Sequence, residues 1–225
     1  MNLLKKYGIF IYLIVLITHC AFIYFDLEWL RFYSKIVLVP FLLLIYYLKY
    51  EGIKNKLYIL PFIALVGSFM GDLLLAFEGS QFFLWGMLGF MVTHICNGYY
   101  FYSLHKLSIK QSKTAWVALL LLSIICSIVV YSIKDNLGAF LIPIIIYIAL
   151  ISIMAILASN LADSKLYKYA AVHYFIPGAI LFVLSDGLLA INKFKLQDPS
   201  LDIFVMLTYG LAQLYLVMGY YKTKP

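Results

Sequence analysis

Long apolar stretches, broken only by short polar links, divide this chain into eight runs. They cover about Tyr7–Phe25, Phe32–Leu48, Leu57–Phe77, Gln81–Leu104, Thr114–Ile133, Leu137–Ser159, Tyr169–Ile191 and Leu201–Tyr221. A hydrocarbon core needs roughly 20 apolar residues per helix, with about 17–25 tolerated. Each run therefore predicts one transmembrane helix, and the short links make successive helices antiparallel neighbours. The expected architecture is all-α: an integral membrane bundle of eight helices forming a single domain over residues 1–225. No small-residue cleavage site follows the first run, where Phe25-Asp26-Leu27-Glu28-Trp29 stands. That run is expected to stay as a helix rather than act as a cleaved signal peptide.

Composition agrees with this pattern. Of the 225 residues, 65% are hydrophobic and 12% charged, against roughly 45–50% and about 25% in soluble domains. The formal charge of +7 would suggest nucleic acid in a soluble protein. Here it reads as loop lysine that orients the helices, so no nucleic-acid partner is expected. With the N-terminus on one side, that side collects Lys5, Lys6, Lys49, Lys54, Lys56, Lys106, Lys110, Lys113, Lys165, Lys168, Lys222 and Lys224. The other side collects Arg31, Lys35, Lys134, Lys193 and Lys195. The positive-inside rule makes the first side cytoplasmic, with both termini on it. Asp26, Glu28, Glu78, Asp135, Asp198 and Asp202 fall on the opposite side. The cell membrane is the expected location, and the sequence sets no oligomeric state. Cys20, Cys96 and Cys126 lie within apolar runs without CxxC spacing, so they read as buried thiols rather than a disulfide framework.

Two charges break the apolar pattern. Asp72 stands in Phe69-Met70-Gly71-Asp72-Leu73-Leu74-Leu75, and Asp186 in Val183-Leu184-Ser185-Asp186-Gly187-Leu188-Leu189. A carboxylate at a helix centre costs roughly 2.5–3.5 kcal/mol by insertion scales, so such residues default to function. The competing reading is a buried ion pair, with Lys35 as partner, or a helix-packing hydrogen bond. The third and seventh runs both point outward, which puts each aspartate in an outer third. Both lie roughly 23–25 Å from the inner helix ends at 1.5 Å per residue.

Three matches relate each run to the one four places later. Leu38-Val39-Pro40 parallels Leu141-Ile142-Pro143. Asp72 parallels Asp186. Met87-Leu88 precedes His94 as Met206-Leu207 precedes Gln213. They suggest a parallel repeat of two four-helix halves.

Other polar side chains share this depth: His19, Lys35, His94, Asn97, Tyr147, His173, Ser185, Asn192, Tyr209 and Gln213. His19 and His173 read as structural, and His94 equally as an interhelical hydrogen-bonder or as a functional group. His105 falls in a basic loop and reads as solvated. The sequence holds no G-x-S-x-G elbow, HExxH pair or Walker loop, which removes the hydrolase and nucleotide chemistries those motifs carry. No cofactor is expected. A zinc site would have to gather His19, Asp72, His94 and Asp186 from separate helices, and no local spacing argues for one.

Four elements in order resemble the YhhN-like lysoplasmalogenase family of multi-pass membrane proteins. They are Phe69-Met70-Gly71-Asp72-Leu73-Leu74-Leu75; Gly86 through Gly89-Phe90 to His94; Pro177-Gly178-Ala179-Ile180-Leu181-Phe182-Val183-Leu184-Ser185-Asp186 with Asn192-Lys193-Phe194; and Thr208-Tyr209-Gly210-Leu211-Ala212-Gln213. Lys35 matches a Thr-Lys-Pro element only in its lysine, because Ser34-Lys35-Ile36 stands here. The resemblance implies hydrolysis of the vinyl ether bond of alkenyl lysophospholipids, giving a fatty aldehyde and a glycerophospho-head-group product.

Acid catalysis of that bond passes through an oxocarbenium ion, as glycoside cleavage does between two carboxyl groups. Burial favours the neutral form of a carboxyl, so one aspartate can serve as general acid while the other, ionised, stabilises the cation and activates water. Asp72 and Asp186 fill these roles in unassigned order, with His94 orienting a carboxylate or relaying a proton. Ser185, Tyr209 and Gln213 would position water or glycerol, with Tyr147 and Asn192 also on the substrate and Lys35 at the phosphate. The alternative from another class is a small-molecule or lipid transporter or binding protein that uses the buried Asp and His as a proton relay.

Overall fold

The computed structural model describes residues 2–50, 56–77, 79–108 and 112–223. Lys54, Lys110 and Lys224, and Glu78 among the acids, were counted in the loop-charge reading and lie outside the described residues. Among the described residues there is no strand, and eight long helical runs follow one another. We label them α1 (Asn2–Tyr24), α2 (Glu28–Tyr50), α3 (Ile59–Leu74), α4 (Ser80–Leu104), α5 (Lys113–Ile133), α6 (Leu141–Asn160), α7 (Lys168–Leu196) and α8 (Leu201–Lys222). All but α4 are long and apolar enough to cross a membrane. α4 is long enough, but Gln81, His94, Asn97 and its tyrosines lower its hydropathy. The protein is an all-helical, multi-pass membrane protein.

The helix ends depart from the hydropathy limits for local reasons. α1 begins at Asn2, so Lys5 and Lys6 lie within the helix. α3 ends at Leu74 rather than near Phe77. Residues before α6 form two 3₁₀ turns, Lys134–Asn136 and Gly138–Phe140, so α6 starts at Leu141. α7 outruns its apolar segment: a π-helical turn, Asn192–Leu196, carries Lys193 and Lys195 within the helix. A second π-helical turn, Ala171–Phe175, precedes Pro177. Proline has no N–H, and its ring crowds the carbonyl four residues back. A widened turn just before it relieves that crowding.

The chain forms two compact units, Met1–Asn97 and Gly98–Pro225. In the first, α3 and α4 approach closely enough that only glycine fits. A Cβ on Gly89 would lie 2.7 Å from the Gly71 nitrogen and 2.9 Å from the Gly67 oxygen. Above this seam the Thr93 hydroxyl donates to the Ala64 carbonyl at 2.9 Å and meets Ser68 Oγ at 2.9 Å. The Tyr46 hydroxyl ties α2 to the approach of α3 by donating to the Tyr58 carbonyl at 2.8 Å.

In the second unit, α7 packs on α8, where Gly178 admits Leu216 and the Ala212 carbonyl. A ring cluster of Tyr100, Phe101, Phe175 and Tyr220 fills one end, with Phe101 and Phe175 centroids 4.7 Å apart. The Tyr100 hydroxyl is 2.6 Å from Thr223 Oγ1, which satisfies the polar end of a buried ring. Ser112 caps α5 by accepting from the Ala115 N–H at 3.2 Å. Ser112 and Thr114 both donate to Asp163 Oδ2, at 2.7 and 2.8 Å, and this pins the start of α5 to the turn after α6. Along α5, Trp116, Val117, Leu120, Leu121, Ile124 and Ile128 are exposed. In a water-soluble protein such a continuous apolar stripe would need a partner; in a bilayer, lipid covers it.

Candidate functional site

Asp72 sits in the last turns of α3 and is 2% exposed. Its helix faces α4 through Gly67 and Gly71, so the carboxyl is held on the packed side of the first unit. Tyr12 of α1, fully buried, lies within electrostatic reach of Asp72 and of Cys20. His94 and Asn97 of α4 are each 1% exposed in the same unit. His19 is 0% exposed, and its Nδ1 lies 2.7 Å from Ser34 Oγ, which joins α1 to α2. That contact gives His19 the structural role expected of it. Lys35, the next residue on α2, is half-buried, and Lys35 and Arg31 act electrostatically on the His19 ring.

Asp186 belongs to the second unit and is half-buried. The Tyr147 hydroxyl of α6 donates to Asp186 Oδ2 at 2.5 Å. This bond joins α6 to α7 within the second unit. Ser185, beside it, turns the other way: its hydroxyl donates to the Val205 carbonyl at 2.9 Å and ties α7 to α8. Tyr209 is buried on α8, edge-on to Phe182 at 5.6 Å, and Gln213 is 2% exposed one turn further.

Asn192 serves the loop between α7 and α8. Its Nδ2 donates to the Asp198 carbonyl and to Asp202 Oδ1, both at 3.0 Å, and its Oδ1 accepts from the Asp198 N–H at 2.8 Å. Gln197, at φ 54°, makes the left-handed turn that this clamp closes. In the same loop, outside the membrane, the side chain and then the backbone N–H of Ser200 hold the Asp198 carboxyl below its usual range. His173 meets its own helix's Tyr169 carbonyl at 3.1 Å and stacks on that residue's ring. It thus bonds within α7 rather than across helices.

Sequence reasoning missed Tyr12, Ser34 and Thr93. Nothing marks Tyr12 among 20 tyrosines, although it stands two turns before His19 on one helical face. Cys20, Cys96 and Cys126 are free thiols. Among the described residues no group of three His, Cys, Asp or Glu is gathered for a metal.

Residues 30–220 match the YhhN family. The chain belongs to that family. It is similar to the human lysoplasmalogenase TMEM86A, 31% identical over 163 residues, and to the cattle lysoplasmalogenase TMEM86A, 28% identical over 160 residues. Each alignment covers 70% of this chain and 63% of the relative, so the chain matches somewhat less than two thirds of either protein's length. No solved structure matches. The matched YhhN range contains Asp72, His94, Tyr147 and Asp186, and leaves Tyr12 and His19 before its start.

Proposed function

We propose that this YhhN protein is a lysoplasmalogenase-like hydrolase of the cell membrane that opens the vinyl ether of alkenyl lysophospholipids. The observation that carries the reading is the Tyr147 hydroxyl donating at 2.5 Å to Asp186 within apolar helices. A carboxylate held this way at membrane depth has a use for its charge. The similarity to lysoplasmalogenases supplies the bond on which that charge acts.

Each residue's own surroundings suggest its role. Asp186, which accepts the phenol, is the ionised partner that stabilises the oxocarbenium ion and takes a proton from the adding water. Asp72, 2% exposed, is the acid. It delivers its proton to the vinyl β-carbon, which leaves the positive charge on the α-carbon and ether oxygen. Water adds at the α-carbon, and the hemiacetal breaks its bond to the glycerol oxygen. That oxygen leaves with a proton, the aldehyde forms, and the carboxyls re-equilibrate with solvent. His94 orients or relays. Tyr209 and Gln213 shape the substrate's surroundings, and Lys35 meets the phosphate.

The test is aldehyde release by the purified protein in detergent, with 1-alkenyl and 1-acyl lysophospholipids side by side. Release from the alkenyl lipid alone supports the proposal. Lipid binding without aldehyde favours a carrier that uses the same Asp and His.

Tyr147 is a positioning residue in this scheme. Tyr147→Phe is expected to lower kcat about tenfold to a hundredfold, the loss of one hydrogen bond to a charged group. KM should stay within about twofold, because Tyr147 contacts Asp186 rather than the substrate. A purely structural tyrosine would instead lower the amount of folded protein and leave kcat per folded molecule unchanged.

A further inference from the structure

Two contacts join α6 to α7 at different levels of the second unit. At the deeper one the Tyr147 hydroxyl donates to Asp186. At the outer one Phe140, which leads into α6, packs on Phe194 with ring centroids 5.6 Å apart. From one level to the other the chain advances seven residues on the α6 side and eight on the α7 side. That is nearly two helical turns, or about 10–12 Å. The Asn192 clamp onto Asp198 and Asp202 fixes the π-helical turn that carries the outer level.

That turn also carries two exposed cations, Lys193 and Lys195, and helical register separates them. Lys193 stands seven residues beyond Asp186, and the stretch as far as Ile191 is regular α-helix. Seven residues complete nearly two turns, so Asp186 and Lys193 share a face about 10.5 Å apart along α7. Lys195, two residues further on, lies on the opposite side of the helix. Leu189 and Ala190 form the face between Asp186 and Lys193, and they are half-buried, as is Asp186 itself. The face is therefore open to a lipid and apolar in its middle, with a carboxyl at the deep end and an ammonium at the outer end. The proposed reaction employs the carboxyl and leaves the ammonium without a task.

An alkenyl lysophospholipid has the complementary layout. Six bonds separate its phosphorus from the vinyl carbon next to the ether oxygen, about 7 Å when extended, since three chain bonds span roughly 3.5 Å. A contact of about 3 Å at either end brings the reach to roughly 13 Å, and the flexible lysine stem takes up the difference. We infer that Lys193 binds the phosphate of the substrate whose vinyl ether lies at Asp186, and so sets the depth at which the ether stops. This rests on the function proposed above. Lysine suits the task as a point charge that asks no fixed angle of the phosphate. A phosphate diester offers two anionic oxygens, so this contact does not compete with the one proposed for Lys35.

The test reads binding, not turnover. The probes are a non-hydrolysable 1-O-alkyl-2-hydroxy phospholipid and the matching 1-O-alkylglycerol, which lacks the phosphate. Both are titrated against the full chain in non-ionic detergent at one salt concentration. Wild type is expected to prefer the phosphate probe by about tenfold to a hundredfold. Lys193→Gln should lower that preference about fivefold to tenfold by weakening only the phosphate probe, and Lys193→Arg, which keeps the charge, should hold it within about twofold. Lys195→Gln removes the same charge from the other side of the same turn and should also hold it within about twofold. Equal binding of both probes by wild type, binding of neither, an undiminished preference in Lys193→Gln, or an equal loss in Lys195→Gln would overturn the inference. Each protein is compared with itself, so a partly folded sample does not alter the ratio. If Lys193→Gln fails to fold, Lys193→Met, which keeps the stem, takes its place. Because the probes are not cleaved, absence of aldehyde release with a Lys193-dependent preference counts against the hydrolase reading alone. Aldehyde release with an undiminished preference in Lys193→Gln counts against the phosphate contact alone.

Discussion

Asp72→Asn and Asp186→Asn are each expected to cut aldehyde release by about a hundredfold to ten-thousandfold, the range spanned by general acid–base groups. Stability should move the other way or not at all. Asparagine has the shape of aspartic acid, and at position 186 its Oδ1 can still accept from the Tyr147 hydroxyl that now ends on Asp186. The geometry is retained, while the proton donor at 72 or the anion at 186 is lost. At position 186 the change also removes a carboxylate from membrane depth, which relieves a cost of roughly 2.5–3.5 kcal/mol on insertion scales. Activity assays and thermal unfolding on the same preparations therefore separate chemistry from scaffolding. If either variant keeps near wild-type turnover, the paired-carboxyl mechanism is wrong. If either loses both turnover and stability, that aspartate is a strut.

Much of this was legible in the sequence because lipid imposes a simple code. A span must be helical and apolar over a fixed length, so hydropathy located eight helices, and any acid within them stood out. α4 shows where that code weakens. Among the described long helices it alone falls short of a membrane span by length and composition, yet Thr93, His94 and Asn97 are all buried. These polar residues lie on the packed face of α4, while Trp85, Val92, Ile95 and Tyr99 keep its exposed face apolar or aromatic. The same reasoning explains the ends of α7. Hydropathy cannot register a π-helical turn, since that is a backbone adjustment to Pro177 at one end and to the Asn192 clamp at the other. The side-chain pairings were less legible still. Ser185 adjoins Asp186 in sequence, but neighbours on a helix point about 100° apart, and its hydroxyl serves α8 instead. Tyr147 reaches Asp186 from 39 residues away, a distance no local pattern encodes.

Within each unit, the helix that carries the aspartate meets the next helix in the same register. In the first unit the residue before Asp72, Gly71, places its carbonyl 3.2 Å from where a Gly86 Cβ would be. Two turns back along α3, the Ala64 carbonyl accepts from Thr93. In the second unit the residue before Asp186, Ser185, donates to the Val205 carbonyl. Two turns back along α7, Gly178 meets the Ala212 carbonyl. When Asp72 is aligned with Asp186 and Met87 with Met206, all four contacts fall into equivalent pairs. That is what the repeat suggested by the sequence requires. The chemistry at the seam differs: glycine against glycine in one unit, serine against carbonyl in the other.

That difference sets the largest stability effect expected in the chain. Gly89→Ala should destabilise the protein by about 2–3 kcal/mol, the cost of overpacking a tight contact, which lowers Tm by about 5–10 °C for a chain of this size. The added Cβ would lie 2.7 Å from the Gly71 nitrogen, 2.9 Å from the Gly67 oxygen and 3.0 Å from the Gly71 Cα. All three are backbone atoms, so no side chain can turn aside, and α3 must move bodily away from α4. Gly187→Ala is the control. There the new Cβ would meet only Val129 Cγ2, at 3.6 Å, and alanine's better helix propensity, worth up to about 1 kcal/mol, should hold or raise Tm. A drop in Gly187→Ala matching that in Gly89→Ala would mean that loss of glycine itself, not the α3–α4 seam, is responsible. Gly71 immediately precedes Asp72, so displacement of α3 also displaces the carboxyl. Gly89→Ala should therefore lose aldehyde release even at temperatures where it remains folded, because a shift near 1 Å at a reacting group can cost about a hundredfold.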